Sequence, residues 1–381
     1  MKFKTWHLFA FIIALFGCSF FAINQKFDKF YRVNGINNDN RVLLEKYLDE
    51  DEQTFLIDNQ IEISLFIDYI KEDHFTLQNY QYYNALNATH RYKKTEIINL
   101  GNSLATRLSY LYNDKAYSYA KRLIDADLEL AFLSENDFQF DYLHFYENMK
   151  NLYDDKDYSY IHDTHTYITR LNDLGINSQE ELGETFSNLT TSYTKESLSL
   201  LFNTSLPQGV KIIFNPFELT TIVDEKHYIG YYEPSGLLLT QDIPRAKYAM
   251  YLQNDAYNAL LKMYQDLSKE YRGFILREAF KSPHTLSEKE IGYNEYQLGL
   301  TINVMQSGIA YKDFETTDLS KWLEEHAHEY GFILRYPRNK ASITNYAYDA
   351  HVYRYVGKSL ARSLHDSNLT LEEYVTLNQS E

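Results

Sequence analysis

The stretch Trp6 to Ile23 constrains this chain more than any other. Its 18 residues contain no acid, lysine, arginine or proline. That is long enough to cross a bilayer, near the short limit, and in lipid only a helix or a closed barrel satisfies its own backbone. Lys2 and Lys4 stand before it, and basic residues in front favour a cytoplasmic N-terminus, with everything after about Asn24 outside. Two processed forms compete with an uncleaved anchor. A signal peptide needs a small-residue cleavage site, and no clean one follows the apolar run. Leu15-Phe16-Gly17-Cys18 has the outline of a bacterial lipobox, which would make Cys18 a lipidated terminus; the apolar Phe20-Phe21-Ala22-Ile23 beyond it fits a span better. All three forms place the rest of the chain at the outer membrane face or the wall.

Residues 24–197 hold few glycines or prolines and alternate charged with apolar residues. Helices joined by short turns are the expected structure, acting as a stalk. Two internal echoes point to helical-hairpin repeats. One pairs Tyr112-Asn113-Asp114-Lys115 with Tyr153-Asp154-Asp155-Lys156, the other Leu100-Gly101-Asn102-Ser103 with Leu174-Gly175-Ile176-Asn177-Ser178. The 36 tyrosines fall largely at helical spacing and are read as packing aromatics. Cys18 is the sole cysteine, so the folded part has no disulfide. A net charge of -16 repels phosphates and argues against nucleic acid as a partner.

In the C-terminal part, Ala256, Leu260, Met263, Tyr264 and Leu267 recur at helical spacing, and Phe274 to Phe280 reads as a strand. Four blocks follow: Ile275-Leu276-Arg277-Glu278-Ala279-Phe280-Lys281-Ser282; Asn294-Glu295-Tyr296-Gln297-Leu298-Gly299-Leu300-Thr301-Ile302-Asn303; Trp322 to Pro337, ending Tyr330-Gly331-Phe332-Ile333-Leu334-Arg335-Tyr336-Pro337; and Tyr348-Asp349-Ala350-His351-Val352-Tyr353-Arg354-Tyr355-Val356-Gly357. In order and content these resemble the VanY-like zinc D-alanyl-D-alanine carboxypeptidases (peptidase family M15), over about residues 198–362. The family patterns are SAYRS, SxHxxGxAxD, WLxxNAxxYGFxLRYP and YxYEPWHxRYVG.

The resemblance implies an α+β domain with a small antiparallel sheet and flanking helices, preceded by an all-α region. It also implies where zinc would bind, and there this chain departs. The ligand positions hold Tyr296, Asn303 and Val352, Asp349 stands for the catalytic glutamate, and Lys281 replaces the substrate-binding arginine. A catalytic zinc takes about three N, O or S ligands plus water; a phenol is a poor ligand at its usual pKa near 10, and valine has no donor. His351 is one residue from the lost ligand, but on a strand its side chain faces the other way. His326 and His328, two apart, are read as surface or satisfied histidines.

The expected architecture is 1–23 membrane anchor or signal segment, 24–197 helical stalk, 198–362 VanY-like domain and 363–381 tail with a short capped helix after Asn368. The expected function is that of a pseudopeptidase without zinc or other cofactor. Lys281, Ser282 and Gln297 would hold a cell-wall stem peptide or an envelope protein, with Asp349 as a vestigial acid. Two alternatives stay open: an active carboxypeptidase with a site rearranged around His351, Asp349 and Lys281, and a scaffold whose function lies in the helical region. A bias toward Tyr, Asn, Lys and Ile fits an AT-rich bacterial genome and a Gram-positive source, with the chain crossing the cell membrane once.

Overall fold

The computed structural model describes residues 5–378, so Lys2 and Lys4 lie outside the described residues. The chain forms two compact units: Met1–Glu147 with Asp155–His162, and Asn148–Asp154 with Asp163–Glu381. The division falls before residue 197, the expected end of the stalk, so the helices Gln179–Ser192 and Lys195–Asn203 belong to the second unit.

The first unit is helical throughout its described residues. Its first helix, Thr5–Phe27, contains the segment Thr5–Ile23, long and apolar enough to cross a membrane. Phe9, Phe11, Ile13, Phe16 and Phe21 along it are all exposed, a contiguous apolar surface of the kind that marks contact with a membrane or a partner. Short helices follow because local caps define them. Asn37 and Asn40 exchange side chain and backbone at the start of Asn38–Tyr47, and Asp49 does the same with Glu52 for Glu50–Asp58. Phe30, Leu44, Leu56, Phe66 and Leu77 make a closed apolar cluster beneath them.

The two echoes fare differently. Both copies of the first lead through a turn into a helix, Ala116–Asp125 and Tyr160–Asp173. In the second, Gly101 is interior to the helix Lys94–Tyr112, while Gly175 is a turn residue at φ 93°. The shared letters there reflect composition, not a shared structure.

The second unit is mixed α and β. Two short pairs come first: β1 (Lys211–Ile212) parallel to β2 (His227–Tyr228), and β3 (Leu237–Leu239) antiparallel to β4 (Tyr251–Gln253). The helix Asn254–Leu267 then buries Ala256, Leu260, Met263 and Leu267, the spacing read from the sequence. It feeds the main sheet, β5 (Phe274–Glu278), β6 (Thr301–Gln306), β7 (Phe332–Tyr336) and β8 (Asp349–Tyr355), in spatial order β5-β6-β8-β7 and antiparallel throughout. The helix Asp318–His326, capped by Thr317, connects β6 to β7 and leaves room for β8 between them.

The tail is part of this unit. Leu364 and Leu371 are buried with Ile222, Ile333 and Val356. The expected helix is present as Leu371–Asn378, where Thr370 and Glu373 cap each other reciprocally. Its Glu372 reaches Arg335 on β7 at 2.7 Å, and Glu373 holds Lys340 at 2.9 Å.

Candidate functional site

The floor of the candidate site is the centre of the main sheet. Asn303 on β6 lies directly opposite Val352 on β8, and cross-strand neighbours bring their Cβ atoms within about 5 Å. Tyr296 comes from the short helical turn Glu295–Leu298, which Gly299 ends at φ 66°. That left-handed residue lets the chain drop straight into β6. Tyr296, Asn303 and Val352 all line one cavity of about 840 Å³, together with Asp349, Tyr336 and Tyr346. The three positions that the sequence resemblance assigns to zinc are therefore gathered in space.

What they present is a phenol, an amide and an isopropyl group. Burial, reinforced by the nearby Glu278, pushes the Tyr296 hydroxyl well above the usual phenol range, so it stays protonated. Asn303 donates its Nδ2 to the Tyr311 hydroxyl at 3.0 Å. Among the described residues no group of three His, Cys, Asp or Glu is placed to hold a metal ion. Asp349 takes a hydrogen bond from the His351 amide at 2.9 Å. The pairing of β7 with β8 is irregular between Leu334 and Tyr336, beside Asp349, and bulges of this kind are frequent next to sites.

His351 nonetheless points away. Its ring lies flat against Tyr311, with Nδ1 2.7 Å from the Val304 carbonyl and Nε2 3.0 Å from the Tyr311 carbonyl. Each ring nitrogen lies against a backbone carbonyl, and His351 does not line the cavity. His328 stacks on His365 at 3.7 Å, and His326 sits beside Glu329 at 3.2 Å, neither near the cavity.

The three residues read as substrate-binding do not line the cavity. The Lys281 ammonium pairs with Glu278 at 2.9 Å and lies over the outer ring of Tyr296. Ser282 donates to Glu233. Gln297 is fully buried: its Oε1 accepts from the Gly292 amide at 2.6 Å, and its Nε2 donates to the carbonyls of Gly230 and Tyr232. Its amide is spent on joining the loop at Gly230 and Tyr232 to the turn at Gly292. Gly292 makes that junction possible, since a Cβ there would meet the Tyr228 ring at 2.2 Å.

Behind the cavity wall is a buried charge cluster. Glu295 accepts from Arg335 Nε at 2.7 Å and from Arg354 at 2.8 Å, with Thr301 and Tyr336 hydroxyls as further donors. Burial alone would raise the Glu295 carboxyl, but the two guanidiniums hold it below the usual range. Arg354 also binds the carbonyls of Leu219 and Thr221, so the cluster ties the segment before the sheet to its two central strands. The sequence marked Glu295 only as part of a frame; its acidic character inside an apolar, aromatic block was the available signal.

Comparison with known proteins finds sequence relatives of the second unit. The VanY family model, described as D-alanyl-D-alanine carboxypeptidase, matches residues 258–358. A putative carboxypeptidase, YodJ of Bacillus subtilis (strain 168), is 31% identical over 195 residues, covering 44% of this chain and 70% of that protein. The chain belongs to the VanY family. A D-alanyl-D-alanine carboxypeptidase of Enterococcus faecium is 39% identical over 84 residues, 22% of this chain and 27% of that relative. Among solved structures, the LdcB LD-carboxypeptidase has a TM-score of 0.41 at 28% identity, covering 46% of this chain and 93% of its own. VanYB in complex with D-alanine-D-alanine has a TM-score of 0.33 at 21% identity, covering 41% and 97%. The VanY match ends at residue 358, before the helix Leu371–Asn378 whose Glu372 meets Arg335.

Proposed function

We propose that this chain is a membrane-held VanY-family protein that binds peptide ends of the cell wall in the sheet cavity without hydrolysing them. The observation that carries this reading is the gathering of Tyr296, Asn303 and Val352 at one cavity with no metal-holding donor set among them. A zinc peptidase needs three good ligands to keep the metal and generate its nucleophile. Here Val352 offers no lone pair, the amide of Asn303 is neutral, and the Tyr296 phenol is held protonated. His351, one residue from Val352, has each ring nitrogen against a backbone carbonyl and is not directed at the cavity. These residues do not fit zinc.

The cavity itself is the argument for retained binding. A volume of about 840 Å³ lies within the range of small-ligand sites, and the Glu295 cluster behind it keeps its wall in place. The apolar helix Thr5–Ile23 serves as a single anchor, with the second unit on the outer side facing the wall of a Gram-positive cell. Peptidoglycan stem peptide is the ligand this assigns, and an envelope protein that presents a similar peptide end is the alternative partner.

The test uses the full chain in detergent. Zinc content, D-Ala release from a pentapeptide ending in D-Ala-D-Ala, and calorimetric binding of that peptide are measured on one sample. Substoichiometric zinc, no release and measurable binding are expected. Stoichiometric zinc with release that disappears in Asp349→Ala overturns the proposal.

A further inference from the structure

The charges around the cavity are unevenly answered. Four carboxylates line it, Glu225, Glu290, Glu295 and Asp349, against two ammoniums, Lys226 and Lys289. Glu295 is neutralised from behind by Arg335 and Arg354. Glu290 is held by Ser287 and Asn294 at the exposed rim. Asp349 differs: among the described residues its one hydrogen bond comes from the His351 amide, and no cation pairs with it. Close by, Asn303 is 4% exposed and gives its Nδ2 to Tyr311, while its Oδ1 meets no donor. A half-buried carboxylate without a counter-ion and a buried carbonyl without a donor both cost free energy until a donor arrives.

Resting on the reading of this cavity as a peptide site, we propose that it contains an ammonium subsite. Asp349 is the counter-ion, Asn303 Oδ1 an acceptor, and the rings of Tyr336 and Tyr346, packed together at 4.7 Å, one aromatic wall. A divalent metal is a poor occupant, because calcium takes six to eight oxygen ligands and zinc about four donors, whereas this corner offers one carboxylate. A primary ammonium carries three N–H donors and a single charge, and electron-rich rings favour a cation held against them. The position left without metal ligands is thereby filled by a cation that the ligand brings with it. Two sources share this chemistry, a lysine-type side chain and a free peptide N-terminus.

The experiment titrates the full chain in detergent, at low salt, with three peptides. Nα-acetyl-Lys-D-Ala-D-Ala carries a side-chain ammonium. Ala-norleucine-D-Ala-D-Ala carries only an α-ammonium. Nα,Nε-diacetyl-Lys-D-Ala-D-Ala carries neither. One of the first two is expected to bind at least about tenfold more tightly than the diacetyl peptide, as a charge-assisted hydrogen bond requires, and which one does so identifies the source. The advantage collapses in Asp349→Asn at unchanged melting temperature and grows in Asn303→Asp. Equal affinity for all three overturns the ammonium subsite and leaves the peptide site standing. Binding of none overturns both, and an advantage that survives Asp349→Asn overturns the assignment to this corner.

Discussion

Replacing Glu295 by Gln keeps the shape of the side chain and removes the one charge between Arg335 and Arg354. Both guanidiniums are at most 2% exposed, so neither can turn to water when its partner becomes neutral. Arg335 would keep Glu372 at 2.7 Å, but Arg354 would keep only backbone carbonyls and an uncompensated charge. Removing one partner of a buried ion pair costs about 3–5 kcal/mol. For a domain of this size that lowers the melting temperature by about 10 °C or somewhat more. The internal control is Glu315→Gln, which breaks the Arg338 pair of equal length, 2.7 Å, on the surface, where such pairs are worth about 0–1 kcal/mol. The pH dependence has a definite sign. Because the folded-state pKa of Glu295 is depressed, its stabilisation is present above the ordinary carboxylate pKa and is lost as pH falls through the folded value. Glu295→Gln should therefore cost most near neutrality and progressively less on acidification. The assay is thermal and urea unfolding of the full chain in detergent, followed by circular dichroism. A loss no larger than that of Glu315→Gln would refute the view that the cluster holds the sheet together.

Three further outcomes follow from the geometry. His328 is pushed below the ordinary imidazole range by burial and by the stacked His365, so the unfolded chain takes up the proton first as pH falls below about 6.5; His328→Gln should reduce the loss of melting temperature between pH 7.5 and pH 5.5, and an unchanged slope would remove His328 as its cause. Gly292→Ala places a Cβ against the Tyr228 ring and the Gly230 amide at φ 79°, and should destabilise by about 2 kcal/mol or more, read as a lower urea midpoint. The combined substitution Tyr296→His, Asn303→Asp and Val352→His puts three donors around one point of the cavity, and should yield about one zinc per chain by elemental analysis; failure to bind would show that the frame of the family site is not kept.

Much of this architecture is written in local patterns. The helix Asn254–Leu267 follows from the spacing of Ala256, Leu260, Met263 and Leu267, and His351, adjacent to Val352 on β8, stays out of the cavity that Val352 lines. Asn303, Val352 and Tyr296 meet because the motifs that carry them lie on adjoining elements. What local patterns do not reveal are partners that are distant in sequence or compete locally. Lys281 is read as helping to hold a stem peptide, and in the structure its ammonium pairs with Glu278, three residues away. Gln297 looked exposed to ligand in a motif, yet its amide is consumed by Gly230, Tyr232 and Gly292, which no periodicity links to it. The helices Gln179–Ser192 and Lys195–Asn203 have the same amphipathic pattern as those of the first unit, and nothing local says which core they join.

The contact between Glu372 and Arg335 ties the order of synthesis to the order of assembly. Arg335 enters the sheet interior on β7, but the second carboxylate that answers it arrives only with residues 371–378, after every strand has been made. A nascent chain that has not reached residue 371 holds two guanidiniums against one carboxylate in the sheet interior, and its Ile333, Val356 and Leu364 face lacks Leu371 as a cover. A chain truncated there is expected to lose stability, because an uncompensated buried charge and an uncovered apolar face both cost free energy. The helix Leu371–Asn378 thus supplies both the second carboxylate for Arg335 and the apolar cover for the face around Ile333.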